Sequence, residues 1–66
     1  MNWDQIEGNW KQMKGRIKQA WSKLTDDELE NIKGKRDRLE GMIQERYGIA
    51  KEDAKKQLDE FAKKLH

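Results

Sequence analysis

A small all-α domain of four helices is the fold this 66-residue sequence predicts, and three observations carry that reading. Apolar residues recur every three or four positions, the spacing that gathers them on one helix face. Asn2-Trp3-Asp4-Gln5 and Thr25-Asp26-Asp27-Glu28 each match the pattern of a capping box, in which the first side chain takes a backbone amide and the fourth reaches back. One helical unit also occurs twice, at an offset of 26 residues.

The first helix is predicted over residues 2 to 22. Asn2 caps it, and Trp3, Ile6, Trp10, Met13, Ile17, Ala20, Trp21 and Leu24 fall within one stripe at 100° per residue. Gly8 and Gly15 lie on the opposite side, with Lys11, Lys14 and Lys18 along one flank. The second helix, 26 to 33, starts at Thr25, and Asp26 and Asp27 place negative charge at the positive end of its dipole. Leu29, Ile32, Leu39, Ile43 and Tyr47 continue one face with Met42 beside it, but Gly34 interrupts the run. A bend or a break would answer to that glycine; the break is preferred, with a third helix over 35 to 47.

Tyr47-Gly48-Ile49 reads as a helix stop, Gly48 being the left-handed residue past the end and Ile49 folding back on the last turn. The fourth helix, 51 to 64, carries Glu52 and Asp53 in its first turn and Lys63 and Lys64 in its last, as the macrodipole favours. Glu52 with Lys56, Asp59 with Lys63 and Glu60 with Lys64 are spaced as helical ion pairs, and Ala54, Leu58, Phe61 and Leu65 form a narrow apolar stripe. Ala50 occupies the position where a capping Ser or Thr is expected.

In the repeat, Trp3 falls on Leu29, Ile6 on Ile32, Gly8 on Gly34, Met13 on Leu39, Gly15 on Gly41, Ile17 on Ile43 and Trp21 on Tyr47. Two similar halves that pack their apolar faces together would produce this. The expected core is Trp10, Met13, Ile17, Trp21, Leu29, Ile32, Leu39, Ile43, Tyr47, Leu58 and Phe61.

A chain this short makes one domain, residues 1 to 66, and hides only about 60% of the surface its unfolded form exposes. Without cysteine it has neither a disulfide framework nor a thiolate metal site. Charged residues make up 42% of the sequence, yet fifteen basic and thirteen acidic residues leave a net charge of only +2, with the signs alternating along the helices. Such a balance is the mark of solvated faces. The polar, acidic N-terminus does not resemble a secretory signal and no apolar run is long enough to span a bilayer, so a soluble, cytoplasmic protein is expected.

Gly8, Gly15, Gly34 and Gly41 each cost a helix interior about 0.8 to 1.0 kcal/mol relative to alanine. Helix breaks explain them most simply, and close approach of a second backbone, from another copy of a self-associating chain or from a partner helix, is the sharper alternative. Lys33, Lys35, Arg36 and Arg38, with Lys11, Lys14 and Lys18, are the candidate nucleic-acid contacts, since a basic turn before a helix suits phosphate. Asp37 interrupts that stretch, which is not a phosphate loop. Trp3, Trp10 and Trp21 share the apolar face, so core anchoring outweighs base stacking. Tryptophan with flanking lysine also fits a helix lying in a membrane interface, the least favoured partner. For catalysis the inventory is nearly bare: His66 is the only histidine, Ser22 has no base placed near it, and the acidic spacings do not match a calcium loop. No enzyme activity, cofactor, metal or small-molecule substrate is expected; an unidentified protein partner is.

The segments NWDQIEGNWKQMKGRIKQAWSKLTDDEL and IKGKRDRLEGMIQERYGIAKEDAKKQLDEF carry a resemblance, most specifically in GNWKQ-x-KG, KLTDD, GKRD-x-L-x-G-x-IQERYG and the following K-x-x-A. They resemble the CsbD-like family of small bacterial general-stress proteins over nearly the whole chain, the tail AKKLH being less typical. That resemblance implies a compact all-helical domain similar to two helical hairpins packed roughly orthogonally, and a non-enzymatic stress-response role. It implies no catalytic or binding residues.

Overall fold

The structure is a computed structural model that describes residues 2–65, so the lone histidine, His66, lies outside the described residues. Five helices follow one another: α1 (Trp3–Gly8), α2 (Trp10–Ala20), α3 (Asp26–Ile32), α4 (Arg36–Tyr47) and α5 (Lys51–Lys64). Each packs against the next in sequence, and no strand occurs among the described residues.

Both capping boxes form as the sequence predicts. Asn2 accepts from the Gln5 amide at 2.9 Å and Thr25 from the Glu28 amide at 3.2 Å, while the Gln5 and Glu28 side chains return the bond. Gly48 ends α4 in the left-handed region at φ 62°, and Ile49 packs, half-buried, on the core. The helix over 51–64 has the predicted bounds. Ala50 holds the extended backbone of a capping residue but supplies no side-chain bond. Ala50→Ser is therefore expected to raise stability by about 0.5 to 2 kcal/mol; a thermal melt with no gain would count against a free amide at this end.

The predicted helix over 2 to 22 requires correction, because it is two helices. Its continuity breaks at Asn9, whose amide reaches back to the Gln5 and Ile6 carbonyls at 3.1 and 3.2 Å while its side-chain amide donates to the Gln5 carbonyl at 3.0 Å. The chain therefore has five helices rather than four, and α2 stops at Ala20, short of Trp21. At Gly34 the preferred break is present: Lys33 (φ 55°) and Gly34 (φ 80°) are both left-handed, which stops α3 at Ile32 and lets α4 begin at Arg36.

The core consists of Ile6, Met13, Ile17, Trp21, Leu24, Leu29, Ile32, Leu39, Ile43, Ala54, Leu58 and Leu65. Trp10, Tyr47 and Phe61, expected inside, are instead half-buried around its edge, where their bulk covers aliphatic groups. For Trp10 and Tyr47 the polar tips explain the position. The Trp10 indole donates to the Leu29 carbonyl at 2.9 Å, and the Tyr47 hydroxyl accepts from the Lys23 amide at 3.1 Å. Trp3 donates likewise to the Gly34 carbonyl at 2.8 Å. The Trp10 indole thus supplies a donor to a carbonyl in the last turn of α3, where the helix itself leaves acceptors unmatched, and the Trp3 indole one to a carbonyl in the turn that follows.

Candidate interaction surface

The predicted basic set is spread over three elements and largely engaged within the chain. On α2, Lys14 pairs with Glu30 and Lys18 with Asp26 at 3.0 Å, tying α2 to α3. Lys35, in the turn before α4, meets Glu7 at 3.0 Å and so ties that turn to α1. Arg36 pairs with Asp59 of α5, lies 3.5 Å from Glu40, and stacks with its guanidinium carbon 5.8 Å from the Trp3 ring centre. Arg38 donates to the Asn31 carbonyl at 3.4 Å. Lys11 and Lys33 make no ion pair within 4 Å among the described residues, although both add to the positive field around Glu30. Asp59, expected to pair along its own helix with Lys63, turns to Arg36 instead.

These pairs act on the carboxylates. The Arg46 guanidinium bonded to Glu28, and then the Thr25 amide, hold that carboxyl below its usual 4.5. Lys14 does the same for Glu30, and Arg36 holds Asp59 below its usual 3.8. Because folding lowers these values, the stabilisation is complete above the unfolded values and is lost as pH falls through the folded ones. The urea midpoint is expected to stay flat from neutrality to about pH 5 and to fall below about pH 4.5, less so in high salt because the pairs are solvent-exposed. A midpoint that stays constant to pH 3 would overturn this.

The predicted partner-contact glycines separate into two kinds. Gly34 is buried, and a Cβ there would sit 2.7 Å from the Glu7 Cγ and 3.2 Å from its Cα, so this close approach is made by α1 of the same chain. Gly8 is the last residue of α1, beside the break. Gly15 and Gly41 stand exposed inside α2 and α4, with nothing within 4 Å of where a side chain would begin. Gly41 also borders two surface hollows, one toward α3 with Ile32 and Met42 in its lining and one toward the start of α5.

The sequence model of the CsbD-like family matches residues 4–56. The chain belongs to the CsbD-like family. It is 55% identical to the UPF0337 protein YjbJ of Escherichia coli O6:H1, covering 97% of this chain and 93% of that one. To the UPF0337 protein ECA0631 of Pectobacterium atrosepticum it is 62% identical, over 88% of this chain and 84% of the relative. The Escherichia coli K12 YjbJ protein is 57% identical over the same shares. As a CsbD-like protein the chain is one of a family of bacterial stress-response proteins. The matched region runs from Asp4 to Lys56, through nearly all of α1, through α2 to α4 and into α5, so the family pattern spans both copies of the repeat except its first residue, Trp3, and includes both exposed mid-helix glycines. Among the described residues no helix of this CsbD-like domain is long and apolar enough to cross a membrane.

Sequence reasoning missed the acceptors of the three indoles, the role of Arg36 as a tie between α1, α4 and α5, and the burial of Glu40. Tryptophan is a donor that needs an acceptor when it is covered, which signals a bond without naming its partner.

Proposed function

We propose that this CsbD-like protein serves the stress response in the cytoplasm by docking a protein partner through its helix surfaces, without turnover of a substrate. The observation that carries the reading is the exposed pair Gly15 and Gly41, each in a helix interior and each with open space above it. Neither ends a helix nor relieves a contact inside the chain, so their cost of about 0.8 to 1.0 kcal/mol apiece has no internal return. A second backbone coming close to the bare helix would supply one. The finer architecture in this reading is two helical hairpins packed roughly at right angles, α2 with α3 and α4 with α5, and what supports it is the packing of α4 on α5, the most extensive between helices among the described residues.

Gly15→Ala and Gly41→Ala are each expected to stabilise the isolated protein by about 0.8 to 1.0 kcal/mol while weakening capture of its partner from stressed cells. Stabilised variants that associate as before would remove the docking role. Nucleic acid is the competing reading, and it requires phosphate to displace Glu7, Asp26, Glu30 and Asp59 from their lysine and arginine partners. Adding nucleic acid, and separately anionic vesicles, at low and moderate salt is expected to leave the backbone amide spectrum unchanged. Salt-sensitive shifts at Lys33, Lys35, Arg36 and Arg38 would favour nucleic acid, and shifts of the indoles with vesicles would favour a membrane surface.

A further inference from the structure

An open hollow of about 370 Å³ lies between α3 and α4, lined by buried Ile32 and half-buried Met42, with the exposed Gly41 projecting no side chain over it. Arg38 and Glu45 line it as well, both exposed and about 10 Å apart along the axis of α4. On an ideal wheel both fall on the same flank of Gly41, the one toward α3. Neither charge is spent inside the chain. Arg38 makes one long bond, to the Asn31 carbonyl at 3.4 Å, and no ion pair among the described residues. Glu45 lies 3.8 Å from Arg46, a loose contact, because that guanidinium is bonded to Glu28. The hollow is thus an apolar patch with a free positive charge toward one end of α4 and a free negative charge toward the other.

We propose that the protein self-associates through this hollow, whose occupant is α4 of a second copy crossing antiparallel at Gly41. Two identical surfaces related by a two-fold axis must be self-complementary: a contact made in one direction is made again in the other. Arg38 stands one turn before Gly41 and Glu45 one turn after it, on the same flank. An antiparallel crossing therefore sets Arg38 against the partner's Glu45 and Glu45 against the partner's Arg38. A parallel crossing would set like charges together at both ends, which costs affinity. Each Met42, next to the crossing point, then lies over the hollow of the other copy, and the bare backbone at Gly41 lets the two helices come close. On the far flank Asp37, also exposed, is brought to the partner's Gln44, a carboxylate facing an amide donor. One face of one helix is a small contact, so the dimer is of the transient kind. It names the partner for the α4 side of the docking reading, on which it rests.

Sedimentation equilibrium of the purified protein, from about 10 μM to about 1 mM, tests this, and a passage from monomer toward dimer is expected across that range. Arg38→Glu and Glu45→Arg are both exposed changes. Each puts like charges at both ends of the crossing and is expected to weaken the dimer about tenfold or more. Mixing the two single variants, or making both changes in one chain, returns opposite charges to both ends and should restore association. Far-ultraviolet dichroism checks that every variant is folded. A monomer throughout, growth past a dimer, a dimer that both charge reversals leave unchanged, or a loss that mixing does not repair would each overturn the site. Only purified protein enters the measurement, so such a failure leaves the docking reading to the capture experiments with the Gly15 and Gly41 variants.

Discussion

Trp21→Ala is expected to lower stability by about 3 to 5 kcal/mol, as truncation of a buried aromatic residue does. Trp21 is 5% exposed and follows directly on the end of α2. Its ring centre lies 5.2 Å from that of Phe61 at an interplanar angle of 55°, and its indole donates to Gln57 Oε1 at 2.9 Å. One side chain therefore joins the α2 end to α5 by packing and by a directed bond. Removing it opens a void and leaves the Gln57 carbonyl without its donor. A domain of this length holds a total stability of only about 3 to 10 kcal/mol, so the variant should be partly or wholly unfolded at room temperature. Trp21→Phe keeps a ring against Phe61 and should lose less, about 0.5 to 1.5 kcal/mol for the hydrogen bond with a further share for the smaller volume, because the exposed Gln57 side chain can turn to water. Urea unfolding followed by far-ultraviolet dichroism measures both. A loss under about 1 kcal/mol for the alanine variant would place the indole outside the core.

Gly34→Ala should follow closely, with a loss of about 2 to 5 kcal/mol. The left-handed backbone at φ 80° costs a residue with a Cβ about 1 to 2 kcal/mol. The new methyl also meets Glu7, at 2.7 Å from its Cγ and 3.2 Å from its backbone Cα, and overpacking of that kind adds about 1 to 3 kcal/mol. Gly48→Ala is the control, because φ is 62° there but nothing lies within 4 Å. It should lose only the conformational share. The difference between the two melting temperatures then reads the α1 contact alone, at about 4 to 8 °C per kcal/mol for a domain of this size. Two variants that melt together would mean that α1 yields freely at Gly34.

Helix starts and stops were legible in the sequence wherever a short-range bond decides them. Asn2, Thr25, Gly34 and Gly48 act locally, and each behaves as its neighbours predict. The break at Asn9 was not legible from periodicity, because Trp3, Ile6, Trp10 and Met13 keep helical spacing straight through a single non-helical residue. The repeat held the signal: at the 26-residue offset Asn9 falls on Lys35, the residue before α4, so a break at Gly34 implies one after Gly8. Of the surface, the even mixture of signs was visible, but which acid meets which base depends on how helices distant in sequence are brought together. Lys14 with Glu30 and Arg36 with Asp59 are such pairs. Glu40 was hidden for the opposite reason: a charged residue beside Leu39 in a highly charged chain reads as solvated, and only the packing of α5 over α4 covers it.

The three indole bonds give the molecule its own optical gauges. Trp3 and Trp10 watch the end of α3 from α1 and α2, through the Gly34 and Leu29 carbonyls, while Trp21 watches α5 through Gln57. Leaving one fluorophore at a time, with phenylalanine at the other two positions, turns emission wavelength into a separate reading of each junction. Whichever junction loosens first under heat, acid or a bound partner announces itself as a red shift in one channel and silence in the others.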